Sequence, residues 1–437
     1  MRIVQLTPGA GGMYCGNCLR DNALVAALRR QGHAVTMLPL YLPLTTDEPD
    51  ESRGTPVFFG GVTVYLEQKA AIFRRLPKWL HDGLSAPALL RWVGTAAAKT
   101  RPEQVGDLTL SMLRGESGNQ AREVEELIAW LSKHERPEVV SLSNGLLVGV
   151  ARRLKKDLGT RVAVTLQGED SFVDALPGSC RQEAWRIMAE RLSEVDLLVS
   201  PSRYYADRMA ARLGIAGDRI RVVPNGIHLA GWRPAEASPR PPVLGFLARM
   251  CREKGLDRLV EAFLVLKARD RVPGLRLAVG GGMGPTDEPF VAELKARLQA
   301  SGRLGDVTFR PNLDHAGKQA FFRELSVFSV PAHYGEAFGL YLVEAMAAGV
   351  PFVQPRTAAF PEIVECSGAG LTCDADSAEA LADRIEEVLG SPELAARLGQ
   401  AGLEAVRTTY NADAAARHLA TLFEAARSVA AGGGPPI

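Results

Sequence analysis

The chain has almost no net charge: 51 Lys and Arg stand against 50 Asp and Glu, a formal +1 over 437 residues. This excludes the strong basic excess of a dedicated nucleic-acid binder. Long apolar runs are also missing, and no stretch approaches the roughly 20 residues that cross a bilayer as a helix. The chain opens directly on strand-like Arg2-Ile3-Val4-Gln5-Leu6, with no charged segment ahead of an apolar core, so no secretory signal is expected. Cysteine is sparse. Six are scattered along the chain, too few and too spread for a disulfide framework, which points to a reducing, cytoplasmic setting. Seven histidines give no metal-ligand cluster, and no metal is expected. The first glycine-rich loop, Thr7-Pro8-Gly9-Ala10-Gly11-Gly12, does not fit G-x-G-x-x-G, which argues against a nicotinamide cofactor. No internal repeat is evident.

What is present is an alternation of apolar strands and helices. Hydrophobic residues make up 46% and charged residues 23%, and the length suits two domains rather than one core. A strand at 2–6, a helix from about Leu19 to Arg30 and a strand at 34–38 form the βαβ opening of a doubly wound sheet. Gly11 and Gly12 are either ligand-contacting residues or a plain tight turn. Cys15-Gly16-Asn17-Cys18 lacks the second pair of a zinc ribbon, although a position just before a helix can activate a thiol. Residues 45–56 read as an exposed acidic loop. Residues 70–82, holding Phe73-Arg74-Arg75-Leu76-Pro77-Lys78-Trp79-Leu80, read as a subdomain packed on the first sheet or as a weak peripheral membrane contact. Residues 99–118 are expected to be loop-rich.

Further strands end at Ser143-Asn144, at Gln167-Gly168-Glu169-Asp170 and at Ser200-Pro201-Ser202, with Ser202 a candidate helix cap. Glu169 and Asp170 either contact a hydroxyl-bearing ligand or cap the helix that follows. The proline-rich stretch 230–241 marks a domain boundary. The expected domains are 1–230, joined by an amphipathic helix at about 410–430, and 240–408. In the second domain Arg249 and Lys254 follow a strand end and precede a helix, an arrangement suited to phosphate. Gly280-Gly281-Gly282-Met283-Gly284 is a turn that lets a ligand approach the backbone. Asp374-Ala375-Asp376 has the look of a metal-binding pair, but it sits immediately before Ser377-Ala378-Glu379, where helix capping accounts for it.

The most informative stretch runs from Tyr334 to Pro351. A strand at 325–331 leads into Gly335-Glu336-Ala337-Phe338-Gly339, and a helix follows from Leu340 to Ala348, closed by Gly349. Such a loop aims backbone N–H groups at an anion. Two carboxylates, Glu336 and Glu344, stand with seven residues between them, where both reach one ligand and accept its hydroxyl hydrogen bonds.

Glu336-x7-Glu344 with Phe338-Gly339-Leu340 and Glu344-Ala345-Met346-Ala347 resembles the retaining glycosyltransferases of family 4, which have the GT-B fold: α/β, two doubly wound Rossmann-like domains facing across a cleft. The resemblance covers nearly the whole chain. It implies a nucleoside-diphosphate sugar as donor, a sugar, lipid or small-molecule acceptor, and no required cofactor. It implies that Arg249 and Lys254 hold the donor diphosphate, that Glu336 holds the donor sugar, and that Glu344 holds the ribose. Gly11, Gly12, Gly281, Asn312, Ala337, Phe338, Gly339 and Leu340 would complete the donor site, with Glu169 and Asp170 as acceptor candidates. Gln167 stands where many members carry a His facing the donor sugar; it still donates a hydrogen bond but cannot become a charged acid. Two other departures are His228 for an Asp and Ala358-Ala359 for a Gly-Gly pair. The alternatives to a transferase are a catalytically weak sugar-nucleotide-binding protein or another GT-B enzyme such as an epimerase or phosphorylase.

Overall fold

The computed structural model describes residues 1–9, 16–44, 46, 48–59 and 102–431. Gly11, Gly12 and Cys15, and the whole 70–82 segment, lie outside the described residues. The chain forms two compact units, Met1–Pro224 with Ala415–Ile437, and Asn225–Ala414.

Each unit is built on a six-stranded parallel sheet flanked by helices, as the alternating strand and helix pattern requires. In the first unit the strands are β1 (Arg2–Thr7), β2 (Ala34–Pro39), β3 (Val139–Leu142), β4 (Arg161–Thr165), β5 (Leu197–Ser200) and β6 (Ile220–Val222), in the order β2-β1-β3-β4-β5-β6. Because helices cover both faces, β3 and β5 are buried along their whole length, which explains their continuous apolar runs. Ser202 caps the Arg203–Leu213 helix as its position suggests, its hydroxyl accepting the Tyr205 N–H at 3.1 Å.

The stretch 99–118 departs from expectation. Pro102–Arg114 is a helix, followed by a single 3₁₀ turn over Gly115–Ser117. Gly106 suggests a loop by propensity, but here it is a packing device. A Cβ at this position would lie 2.9 Å from Cys180 Sγ, on the Gly178–Ser193 helix, so glycine lets the two helices approach. Leu110 and Leu113 bury the helix's apolar face.

The second unit contains β7 (Val243–Leu247), β8 (Arg276–Gly281), β9 (Val307–Pro311), β10 (Val327–Phe328), β11 (Phe352–Pro355) and β12 (Gly370–Cys373), in the order β12-β11-β10-β7-β8-β9. Its core is aromatic: Phe246, Phe263, Phe321, Phe322, Phe328, Phe352 and Phe360 are all fully buried. Strand order reverses between β7 and β10, so the loops leaving their carboxyl ends diverge to opposite faces of the sheet and open a crevice there. Ser377 caps the Ala378–Gly390 helix, accepting the Ala380 N–H at 3.0 Å, while Asp376 pairs with Arg258. The final helix spans Ala412–Ala431, and Arg427 on it pairs with Glu138 of the first unit's body. Among the described residues no helix is long and apolar enough to cross a membrane.

Candidate functional site

The crevice between β7 and β10 gathers the second unit's chemistry. After β7 the chain passes Arg249, makes a 3₁₀ turn over Arg252–Lys254, and enters the Leu256–Arg269 helix through Gly255 at φ +73°. A Cβ on Gly255 would sit 1.9 Å from the Pro331 carbonyl oxygen. Only glycine permits this contact and this backbone angle together, and the contact seats the β7 loop on the β10 loop. Lys254 therefore reaches Glu336, 82 residues along the chain, with Nζ 2.6 Å from Oε2.

Glu336 is held from several sides. Its Oε2 also accepts the hydroxyls of Tyr334 at 3.2 Å and Tyr341 at 3.1 Å. Lys254 Nζ donates to the Tyr334 oxygen as well and lies 4.9 Å from the centre of that ring and 5.7 Å from that of Tyr341. Burial works against the Lys254 charge, but Glu336 and Tyr334 outweigh it and hold the ammonium above the usual lysine range. Burial, then the Glu336 charge, pushes the Tyr334 phenol up to about 12. At neutral pH the cluster is thus a charged pair framed by two neutral phenols.

Arg249 stands on the rim. Its Nε donates to both oxygens of Asp287, at 3.1 and 3.0 Å, and its Nη2 to Thr286 Oγ1 at 3.2 Å. Burial opposes ionisation of Asp287, yet the Arg249 bond and the Gly284 N–H at 3.0 Å hold its carboxyl below the usual range. The Arg249 side chain is 60% exposed, with its Nε and Nη2 edge fixed on Asp287 and Thr286.

Glu344, in the Leu340–Ala347 helix, pairs with Lys318 at 3.4 Å, both side chains being about four-fifths or more buried. Gly339 enters that helix at φ +93°. The Ala337 and Phe338 side chains are buried, so what they offer a ligand is backbone. Ala358 takes φ +54°, the left-handed angle a glycine adopts freely, and Ala359 donates its N–H to the Glu336 carbonyl at 3.3 Å.

The neighbouring β8 loop is built just as tightly. Gly281 has φ +121°, and a Cβ there would lie 1.9 Å from the Ala248 oxygen. Asn312, at φ +57°, pairs its side-chain amide with Met283, accepting its N–H at 3.0 Å and donating to its carbonyl at 3.2 Å. Its amide braces the turn, which leaves main chain to meet a ligand.

In the first unit Gln167 is half-buried at the end of β4. Glu169 and Asp170 point inward. Glu169 accepts the N–H groups of Gly145 at 2.6 Å and Gln167 at 2.8 Å and shares the Tyr205 hydroxyl, at 3.0 Å from each carboxylate, with Asp170. Asp170 also takes Arg208 Nε at 2.6 Å. Burial pushes the Glu169 carboxyl up despite these donors. Neither caps the Glu169–Asp174 helix, whose N-cap is Gly168. Cys18 is buried and accepts the Thr7 hydroxyl at 3.9 Å.

The second unit thus joins Lys254 directly to Glu336; Arg249 lies on the same β7 loop but is held by Asp287, Glu344 lies on the following helix and is held by Lys318, and Asn312 is tied to Gly281 through its backbone N–H. Sequence reading passed over Tyr334, Tyr341, Lys318 and Asp287. The two tyrosines had a visible signal, flanking Glu336 within the motif itself. Lys318 and Asp287 had none.

Comparison with known proteins bears on this geometry. Residues 22–226 match the family profile of the glycosyl transferase 4-like domain, and residues 232–405 that of the glycosyl transferases group 1. The chain is 26% identical to the glycogen synthase of Mycobacterium tuberculosis over 296 residues, 67% of this chain and 70% of that protein. It is 33% identical to the phosphatidyl-myo-inositol mannosyltransferase of Mycobacterium leprae over 208 residues, 46% of this chain and 52% of that one. In fold it resembles HepE of Anabaena, solved with UDP, at a TM-score of 0.68 and 14% identity, covering 97% of this chain and all of that one.

Proposed function

The chain belongs to the group 1 glycosyltransferases, GT-B transferases that use nucleotide sugars, and from that premise we propose that it moves a hexose from a nucleoside-diphosphate sugar to an acceptor hydroxyl with retention of anomeric configuration. The observation that carries the reading is the Lys254–Glu336 pair, which joins the loop after β7 to the loop after β10, with Arg249 on the first of these loops and Glu344 on the helix that follows the second. In this reading Glu344 takes the ribose hydroxyls, Glu336 takes a hydroxyl of the transferred sugar, and the diphosphate lies against Arg249, Lys254 and the N–H groups at the start of the Leu340–Ala347 helix.

Cleavage of the sugar–phosphate bond leaves negative charge on the departing diphosphate. Arg249 and the helix N–H groups are fixed before the reaction and stabilise that charge without reorganising, which is where much of the rate acceleration arises. Two fixed cations supply this without a cofactor. The acceptor attacks on the face that the nucleotide leaves, and Gln167 acts as a neutral hydrogen-bond donor to the sugar. The acceptor is a sugar, lipid or other hydroxyl compound met by the first unit. Glu169 and Asp170 serve it indirectly, by shaping the loop after β4. A cytoplasmic site of action belongs to the same reading.

The test is to incubate the protein with UDP-, GDP- and ADP-hexoses, follow nucleotide release, and read the anomeric coupling of the product by NMR. Release from one nucleotide class, with an axial donor giving an axial product, supports the reading. Inversion would overturn retention. Tight donor binding without release would favour a binding protein, the outcome that Gln167 in place of a titrating side chain would explain.

A further inference from the structure

We infer that Tyr334 and Tyr341 are positioning residues that fill one oxygen of Glu336 and so dedicate the other to the transferred sugar. This rests on the reading above, in which Glu336 faces that sugar. An ionised carboxylate has two equivalent oxygens and about four acceptor sites, and left to itself it rotates among partners. Here three donors converge on Oε2: Lys254 Nζ at 2.6 Å, Tyr341 OH at 3.1 Å and Tyr334 OH at 3.2 Å. No protein donor among the described residues meets Oε1, and the side chain is 15% exposed, enough for a ligand to reach it.

The tyrosines are themselves fixed. Tyr341 is buried in the first turn of the Leu340–Ala347 helix, its ring 6.1 Å from that of Phe328 at the end of β10, so the aromatic core sets its position. Tyr334 is anchored by the Lys254 ammonium at its oxygen and over its face. Both phenols sit above their ordinary pKa through burial and then the Glu336 charge, so both remain O–H donors through neutral pH. Lysine alone would leave Glu336 free to swing on one flexible contact. Two hydroxyls from different elements fix the carboxylate plane, which leaves Oε1 directed at one sugar hydroxyl.

The experiment uses the full chain with its preferred nucleotide sugar and the variants Tyr334→Phe, Tyr341→Phe and Glu336→Gln, singly and combined. Phenylalanine keeps the ring packing, and melting curves check that each variant folds. Removing a hydrogen bond to a charged group is expected to lower kcat/KM for the nucleotide sugar at least about tenfold per tyrosine. In Tyr341→Phe, whose hydroxyl meets Glu336 and not Lys254, the affinity for the free nucleoside diphosphate, which lacks the sugar, should stay within about twofold. In the Glu336→Gln background the tyrosine changes should add little, because their effect runs through that carboxylate. The inference is overturned if the losses persist undiminished in that background, if free nucleotide affinity falls in parallel in Tyr341→Phe, or if the single variants match the native enzyme. A native protein that turns over no nucleotide sugar instead sinks the functional reading itself.

Discussion

Arg249 meets Asp287 edge-on: Nε reaches both carboxylate oxygens, at 3.1 and 3.0 Å, and Nη2 approaches Oδ1 to 2.9 Å, with the Asp287 side chain buried and the Arg249 side chain 60% exposed. Asp287 is in turn tied to its own turn through the Gly284 N–H. The arrangement fixes the plane of the one arginine that the diphosphate is proposed to meet.

Two effects oppose each other in Asp287→Asn. Freeing the arginine restores up to about 2 kcal/mol of rotamer entropy that binding must then remove. Removing the acid also strengthens the attraction of the exposed cation for phosphate by at most about 1 kcal/mol. The first is larger, so nucleoside-diphosphate affinity should fall about fivefold. Calorimetric titration of the variant checks this; tighter binding would mean that Asp287 masks Arg249 rather than aims it.

Gly255→Ala should damage both stability and binding. A left-handed alanine costs about 1–2 kcal/mol by itself, and relieving a 1.9 Å approach to the Pro331 oxygen requires the two loops to part. A drop in unfolding free energy of at least about 2 kcal/mol is expected, with loss of the nucleotide-dependent rise in melting temperature. Denaturant melts with and without nucleotide measure both.

Ala358→Gly should act in the opposite direction. Alanine holds φ +54° at a cost of about 1–2 kcal/mol, against about 0.5–1 kcal/mol of extra chain entropy for glycine. The variant should therefore gain about 0.5–1 kcal/mol in stability, read as a higher denaturant midpoint with unchanged slope.

Glu169 gives a pH dependence of unusual sign. Its folded pKa is raised above the 4.5 of the unfolded chain, so the folded state binds this proton more tightly. Its contribution to stability therefore grows as pH falls from neutral, is complete below about pH 4.5, and is lost as pH rises through the folded value. The melting temperature of the native protein relative to Glu169→Gln should increase in the native protein's favour as pH is lowered from 7 toward 4.5. A constant difference would contradict the raised value.

Much of the second unit was legible because its motifs are local. Lys254-Gly255 and Glu336 to Glu344 each lie on one strand–loop–helix turn, where glycine spacing and helix periodicity determine where side chains emerge. Asp287 was not legible: it lies 38 residues beyond Arg249, and an acid near the start of a helix has a sufficient local explanation. Glu169 and Asp170 were read at the end of a strand, but β4 stops at Thr165 and they open the next helix; their direction depends on Tyr205, about 35 residues further on, whose hydroxyl draws both inward. The Pro102–Arg114 helix was hidden because Gly106 reads as a breaker until Cys180 is seen beside it. In each case the missing information is a contact between distant segments.

The melting temperature of the purified protein against UDP, GDP and ADP, alongside Arg249→Ala, tests the nucleotide site directly. Nucleotide well above its dissociation constant must raise the melting temperature by mass action. A clear rise is expected with one nucleotide, absent or strongly reduced in Arg249→Ala. Folded protein that shifts with none of the three, or a shift that Arg249→Ala leaves intact, would contradict that expectation.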